Sequence, residues 1–329
     1  MPELRWGPLR RRWVIVAPER GKRPSDFRAQ PQPSAEAPSG CPFCPGNEHL
    51  TPPEIARVPG PDGWAVRVVP NKFPALVDYP ALELERDGLF RRAAGRGTHE
   101  VIIDSPDHHR DLDRLPLEQV ERVVDMYLAR LKAIHSAGRF QYVQLFKNHG
   151  KGGGASLAHP HTQIIATSVL PPEVKERLSA ARQHFAAHGR CLVCQLMEEE
   201  LAAEERVVEE GDHFVILSPY DARFPFELLV LPRAHSHRFV ELYGEDRTSF
   251  ARALKGALAR LSSLLGDVPY NFVLHTAPCG GDWPGIEDWY HWHLEIIPRL
   301  TQLAGFEWGT GMFINPMPPE AAAGHLRAA

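Results

Sequence analysis

The second half of this chain repeats the order of its first, and that repeat constrains the fold more than any other feature. Cys41-Pro42-Phe43-Cys44 and Cys191-Leu192-Val193-Cys194 stand about 150 positions apart. Each pair is followed by a strand candidate and a turn, residues 64–69 with Pro70-Asn71-Lys72-Phe73 and residues 214–217 with Ser218-Pro219-Tyr220. Next comes a strand that runs on to a histidine, 100–103 to His108 and 227–231 to His235. A helix follows over 117–135, with Val120, Val123, Val124, Tyr127, Leu128 and Leu131 at helical spacing and Gly138 as its stop. Its counterpart spans roughly 246–265 and ends at Gly266. Strands at 142–146 and 271–275 then lead to His159-Pro160-His161 and His291-Trp292-His293. A period this long is a duplicated domain, not a solenoid. The pattern predicts an α+β fold of antiparallel sheets flanked by helices, with units at 1–170 and 171–329.

Composition sets the class. The 329 residues are 43% hydrophobic and 24% charged, ordinary for a globular protein with room for two cores. A formal net charge of −4 argues against a nucleic-acid or membrane-surface binder. No run is long and apolar enough to span a bilayer, and the N-terminus lacks a signal-peptide apolar segment, so a cytoplasmic protein is expected. Residues 30–40, rich in Pro, Ser and Ala, read as a linker.

Four of the five cysteines form the two CxxC pairs, and Cys279 is left over. In a cytosolic chain such pairs point to metal or redox chemistry, and neither lies in the βαβ context of a redox motif. A zinc tetrahedron needs four ligands, and each half offers two more histidines at matching places. One zinc is expected on Cys41, Cys44, His108 and His159, and another on Cys191, Cys194, His235 and His291. Such closed sites have no open position and would be structural. His109 and His237 neighbour these ligands.

The stretch NHGKGGGAS, from Asn148 to Ser156, carries glycines that let backbone N–H groups approach an anion. In an extended strand His159, His161 and Gln163 share one face, while Ile164 and Ala166 point into the core. Two imidazoles and an amide beside a phosphate cradle suit phosphoryl transfer.

HPHTQ with its upstream NHGKGGGAS loop resembles the active-site segment of galactose-1-phosphate uridylyltransferases, in the histidine-triad superfamily. The resemblance runs from about Pro8 to Pro316 and implies a duplicated histidine-triad-like unit. It selects His108 and His235 over His109 and His237 as metal ligands, and His161 over His159 as the nucleophile. A neutral imidazole attacks phosphorus near pH 7 without deprotonation, whereas a metal-bound one has lost its lone pair.

The implied reaction is ping-pong exchange of UMP between UDP-glucose and galactose 1-phosphate through a nucleotidyl-histidine. Gln163 would donate its amide to a phosphoryl oxygen, and Asn148, Gly154 and Ser156 would hold the phosphates. The resemblance places Asn71 and Phe73 at the base, Glu307 at the sugar, and Arg20 and Arg23 at the sugar phosphate. It also implies a homodimer in which Glu307 and the two arginines complete the partner's site. Some relatives lack the second cysteine pair and use a glutamate there; this chain has the pair, so zinc is expected in place of iron. Many carry a cysteine before the loop serine, where this chain has Ala155. His291-Trp292-His293 is followed by Leu294-Glu295, without the glutamine, and reads as a degenerate copy whose His293 lines a pocket or serves the core. Relatives with two CxxC pairs include enzymes that use adenine nucleotides. An ADP-glucose phosphorylase therefore stands as the alternative, and a non-catalytic zinc-stapled nucleotide binder as a third reading.

Overall fold

The computed structural model describes residues 1–20, 27, 40–61, 63–80 and 83–329; Arg23 and most of the expected linker lie outside them. The chain opens with a hairpin of β1 (Glu3–Gly7) and β2 (Arg12–Val16). The first half continues with β3 (Ala56–Val58), β4 (Val66–Pro70), and an exposed hairpin of β5 (Leu84–Asp87) and β6 (Phe90–Ala93). Then come β7 (Gly97–Ile103), α1 (Leu117–Ser136), β8 (Tyr142–His149) and β9 (His161–Thr167).

The second half begins with α2 (Pro172–His188) and α3 (Leu192–Ala203), followed by β10 (Val207–Glu210), β11 (Phe214–Leu217) and β12 (Leu228–Pro232). After α4 (Gly244–Leu265) come β13 (Tyr270–His275), a single turn α5 (Ile286–Trp289) and β14 (His293–Pro298). The chain closes with α6 (Gly305–Thr310), β15 (Phe313–Asn315), parallel to β2, and α7 (Pro319–Arg327).

The duplication expected from sequence is visible in the strand order. One sheet of ten described strands runs β10-β11-β12-β14-β13-β8-β9-β7-β4-β3. Counted outward from the centre, each half contributes its fourth, fifth, third, second and first strand. The halves meet where β8 and β13 pair antiparallel, Asn148 opposite Asn271 and His149 opposite Tyr270. The two half-sheets are therefore continuous.

Period-two alternation sorts the strands' side chains onto two faces. Ile102, Ile164 and Ala166 of the first half and Val230, Leu294 and Ile296 of the second join one core with Val120, Val124 and Leu131 of α1 and Leu254, Leu258 and Leu261 of α4. Truncating a fully buried leucine here, such as Leu131 or Leu254, would cost about 2–5 kcal/mol. On the other face Val69, Val101 and Ile103 pack with Cys41, Phe43 and Trp64, while Val215, Leu217 and Leu229 pack with Cys191 and Val193.

The two cysteine pairs sit on different local structures. Cys41-Pro42-Phe43-Cys44-Pro45-Gly46 is a run of turns, because Pro45 cannot continue a helix and Gly46 takes φ 88°. Cys191 instead sits just ahead of α3, whose Gln195, Leu196, Met197 and glutamates are helix formers. The span of α2, to which the sequence reading assigns no element, carries start and stop signals: Pro172 in its first turn and Gly189 at its end, φ 68°. Among the described residues no helix is long and apolar enough to cross a membrane.

Candidate active site and metal centres

Strand β9 leads into the cleft. His161 and Gln163 line an opening of about 520 Å³ together with Phe43, Pro52, Asn71, Lys72, Phe73, Ser156 and Leu157. His159 lies ahead of the strand, beyond Pro160, and its ring turns to the cysteines instead of the cleft. Nδ1–H of His161 donates to the His159 carbonyl at 2.8 Å, which leaves the Nε2 lone pair without a protein hydrogen bond among the described residues. Burial lowers the His161 pKa to about 4, only partly offset by that hydrogen bond, so the ring is neutral at pH 7. The Phe43 ring meets it edge-on at 5.3 Å between centroids.

Below β9 lies a polar network that the sequence reading did not single out. Lys147 is fully buried; its Nζ contacts Asp104 at 2.6 Å, Asp111 at 2.9 Å and the His161 carbonyl at 3.4 Å. Asp104 also accepts from Thr162, which pairs with Tyr127 at 2.6 Å. Burial alone would push the Lys147 pKa down, but the two carboxylates raise it and keep the ammonium charged. Removing one member of such a set leaves an unpaired buried charge. The signal in sequence was the odd lysine within the apolar strand 142–147.

The glycine loop rests on the second half. A Cβ at Gly153 would stand 2.7 Å from the Tyr270 carbonyl oxygen, so the close approach of the halves demands glycine there. Gly154 takes φ 86°, a left-handed conformation. Asn271 Nδ2 donates to Asn148 Oδ1 at 2.8 Å and to the Gly153 carbonyl at 2.7 Å, fixing the loop from β13. The phosphate-binding candidates Asn148, Gly154 and Ser156 thus share one stretch of backbone beside His161, and only Ser156 of the three lines the cleft.

Asn71 Oδ1 accepts from the Phe73 backbone N–H at 2.9 Å, so its side chain shapes the turn that carries the exposed Phe73 ring. Arg20 ends an exposed 3-10 turn, and Glu307 Oε2 accepts from the Ala304 N–H at 3.0 Å at the start of its own helix. Neither residue lines this cleft.

The eight expected metal ligands fall into two groups. Cys41, Cys44, His108 and His159 hold their donor atoms within 4.8 Å of one another, as do Cys191, Cys194, His235 and His291. All four sulfurs are free thiols. Cys44 Sγ lies 3.3 Å from His108 Nδ1 and 3.6 Å from His159 Nδ1; Cys194 Sγ lies 3.3 Å from Nδ1 of both His235 and His291. Tetrahedral zinc with ordinary bond lengths puts S and N about 3.6 Å apart. The His159 Nε2–H donates to the Ser105 carbonyl and the His235 Nε2–H to the Glu287 carbonyl, both at 2.8 Å, which points the Nδ1 lone pairs at the sulfurs. Both donor sets fit a metal ion.

A third group, His275, His293 and Glu295, is buried near the second metal group. His293 Nε2 accepts from Arg177 at 3.3 Å, and Glu295 is gripped by Arg10 at 3.0 Å, Arg177 at 2.8 Å and Arg223 at 3.0 Å. Burial would raise the Glu295 pKa, but the three guanidiniums hold it well below the carboxylate range. Arg10 and Arg223 also bind Glu227, and Arg10 binds Asp221, so three cations meet three carboxylates. His275 stacks on His293 at 4.8 Å, and its Nε2 lies 3.3 Å from Glu295 Oε2. With the charges balanced and Arg177 on the His293 lone pair, this group does not suit a divalent cation. His293 is a core residue.

A profile described as galactose-1-phosphate uridyl transferase, N-terminal domain, matches residues 1–171, and the corresponding C-terminal profile matches residues 177–307. An ADP-glucose phosphorylase of Arabidopsis thaliana is 37% identical, over 99% of this chain and 92% of that protein. A galactose-1-phosphate uridylyltransferase of Thermotoga maritima is 34% identical, over 99% and 98%. The crystal structure of the Arabidopsis ADP-glucose phosphorylase with bound ADP-glucose superposes with a TM-score of 0.84, at 34% identity, over 100% of this chain and 99% of that one.

Proposed function

Because the chain belongs to the galactose-1-phosphate uridyl transferase family, we propose that it moves a nucleotidyl group from a nucleoside diphosphate sugar to a phosphate acceptor through His161. The observation that carries this reading is the His161 ring itself: Nδ1–H is committed to the His159 carbonyl at 2.8 Å while Nε2, beside the cleft, has no hydrogen-bond partner among the described residues. Nε2 attacks the α-phosphorus, the bond from that phosphorus to the bridging oxygen breaks, and a sugar 1-phosphate departs. An acceptor phosphate oxygen then attacks the same phosphorus, the P–N bond breaks, and the imidazole returns neutral. The Gln163 amide N–H donates to a phosphoryl oxygen as charge builds there, with Asn148, Gly154 and Ser156 holding the phosphates.

The donor is UDP-glucose and the acceptor galactose 1-phosphate, in line with the name carried by relatives such as the Thermotoga protein. Phe73 and Asn71 flank the base, and Glu307 with Arg20 and Arg23 serves the sugar phosphate across a homodimer interface. Residues 1–170 form the catalytic unit and 171–329 its pseudo-symmetric partner. The two Cys2His2 groups hold structural zinc, which would fix the ends of β7 and β9, and of β12 and β14, without an open coordination position. A second reading, phosphorolysis of ADP-glucose, is favoured by the Arabidopsis relative, 37% identical along nearly the whole chain. Supplying UDP-glucose with galactose 1-phosphate in one assay and ADP-glucose with inorganic phosphate in another separates the two. UDP-galactose and glucose 1-phosphate are expected from the first; ADP formation in the second alone would overturn the uridylyl assignment and keep the chemistry.

A further inference from the structure

His99 touches the candidate machinery but is not among the residues the sequence singles out. It is 9% exposed on β7, and β7 pairs Val101 with Gln163. Two residues before Val101, His99 shares the cleft face and reaches Gln163 diagonally across the strands. Its ring makes two contacts that together decide a proton's place. The Ala75 backbone N–H donates to Nδ1 at 3.2 Å, so Nδ1 must be the lone-pair nitrogen. Nε2 therefore carries the hydrogen, and its partner at 2.8 Å is Gln163 Oε1. Asn71 Nδ2 lies 3.1 Å from the same ring nitrogen, but an amide NH2 cannot accept the Nε2–H, so Gln163 Oε1 is the acceptor of the two neighbours. With its oxygen occupied, the Gln163 amide can present only its NH2 group to the cleft.

We propose that His99 is a positioning residue for nucleotidyl transfer: by donating Nε2–H to Gln163 Oε1 it turns the Gln163 amide N–H groups toward the phosphoryl oxygens. A freely rotating amide would spend part of its time offering a carbonyl oxygen, repulsive to a phosphate. The same ring ties this amide to the 71–75 segment, since the His99 carbonyl accepts from Asn71 N–H at 2.8 Å and Nδ1 accepts from Ala75. The turn beside the base and the donor beside phosphorus are thereby held at a fixed distance.

This inference rests on the nucleotidyl-histidine reading, and single-turnover nucleotidylation of the full chain by UDP-glucose, with ADP-glucose in a parallel arm, tests the two separately. His99→Phe, which keeps a ring and loses the donor, is expected to slow adduct formation about 10- to 100-fold while changing the apparent Kd for the nucleotide sugar less than about 3-fold. His99→Gln, which returns an N–H near the Nε2 position, should recover most of the rate. In a Gln163→Ala background, already slow, His99→Phe should cost less than about a further 2-fold. Wild-type rate in His99→Phe, or losses that multiply in the double variant, overturns the positioning role and leaves the nucleophile standing. No adduct in the wild type with either sugar overturns both. Should the ring variants fold poorly, nitrogen NMR of the wild-type imidazole decides the point: the Nε2–H tautomer is required, and the Nδ1–H tautomer refutes it.

Discussion

His161 and His293 begin equivalent strands in the two halves, and each donates Nδ1–H to the carbonyl two residues back, at 2.8 Å and 3.1 Å. Their backbones and tautomers match, and their surroundings do not. At His161 the Nε2 lone pair faces a cleft, and Gln163 follows at the second position. At His293 the same lone pair accepts from Arg177, and the residue at the second position is Glu295, held by three arginines. One motif thus leaves a nitrogen open to a cleft where space is left over it and makes a core contact where a guanidinium fills that space. The second half retains a use for the first, because Asn271 and Tyr270 brace the glycine loop.

The largest expected effect separates the two histidines. His161→Ala should lower turnover by at least about 10³-fold with little change in melting temperature. His293→Ala should leave turnover of the folded protein within about 3-fold and cost on the order of 2–4 kcal/mol of stability, because it opens a cavity and strips Arg177 of a partner. Steady-state kinetics with thermal melts check both; equal loss of activity would erase the distinction between the halves.

The metal groups sharpen the comparison. Cys41→Ser and Cys191→Ser should each remove about one zinc per chain by elemental analysis and lower the melting temperature, since the binding energy of a structural metal is folding energy. Only Cys41→Ser should also depress turnover strongly, because the ligand His159 and Phe43, which packs with Cys41, adjoin His161.

A smaller effect belongs to His149, at the seam of the halves. Its Nδ1 lies 2.9 Å from Asp111 and its Nε2 2.8 Å from Asp267, so both nitrogens donate. Burial would lower its pKa, but these carboxylates outweigh burial and raise it from 6.5 to about 9. A group whose folded pKa is raised stabilises fully below its unfolded pKa, and that gain is lost as pH climbs through the folded value. His149→Gln should therefore melt a few degrees below wild type at pH 6, with the gap narrowing from about pH 6.5 to 9. A gap that widens with pH would contradict the assignment.

Much of this was legible in the chain because spacing carries it. The repeated order of cysteine pair, strand, helix and HxH foretells the pseudo-symmetric sheet, and both ligand groups assemble from those landmarks. What stayed hidden depends on contacts between distant segments. Nothing near Arg177 in sequence announces His293, and Asn271 gives no local hint that it braces Gly153. His99 sits in a strand with no motif around it, and its role emerges only when β7 lies beside β9. The expected alignment of His159 with His161 failed for a local reason: Pro160 interrupts the pattern and the strand begins at His161.

The central claim is that His161 alone of the paired histidines forms a covalent nucleotidyl intermediate. Incubating the protein with UDP-glucose, without acceptor, and mapping the peptides by mass tests it directly. UMP on His161, one glucose 1-phosphate released per adduct, and discharge of the adduct on adding galactose 1-phosphate are the expected results. An adduct on His293, or turnover without any adduct from UDP-glucose or ADP-glucose, would contradict it.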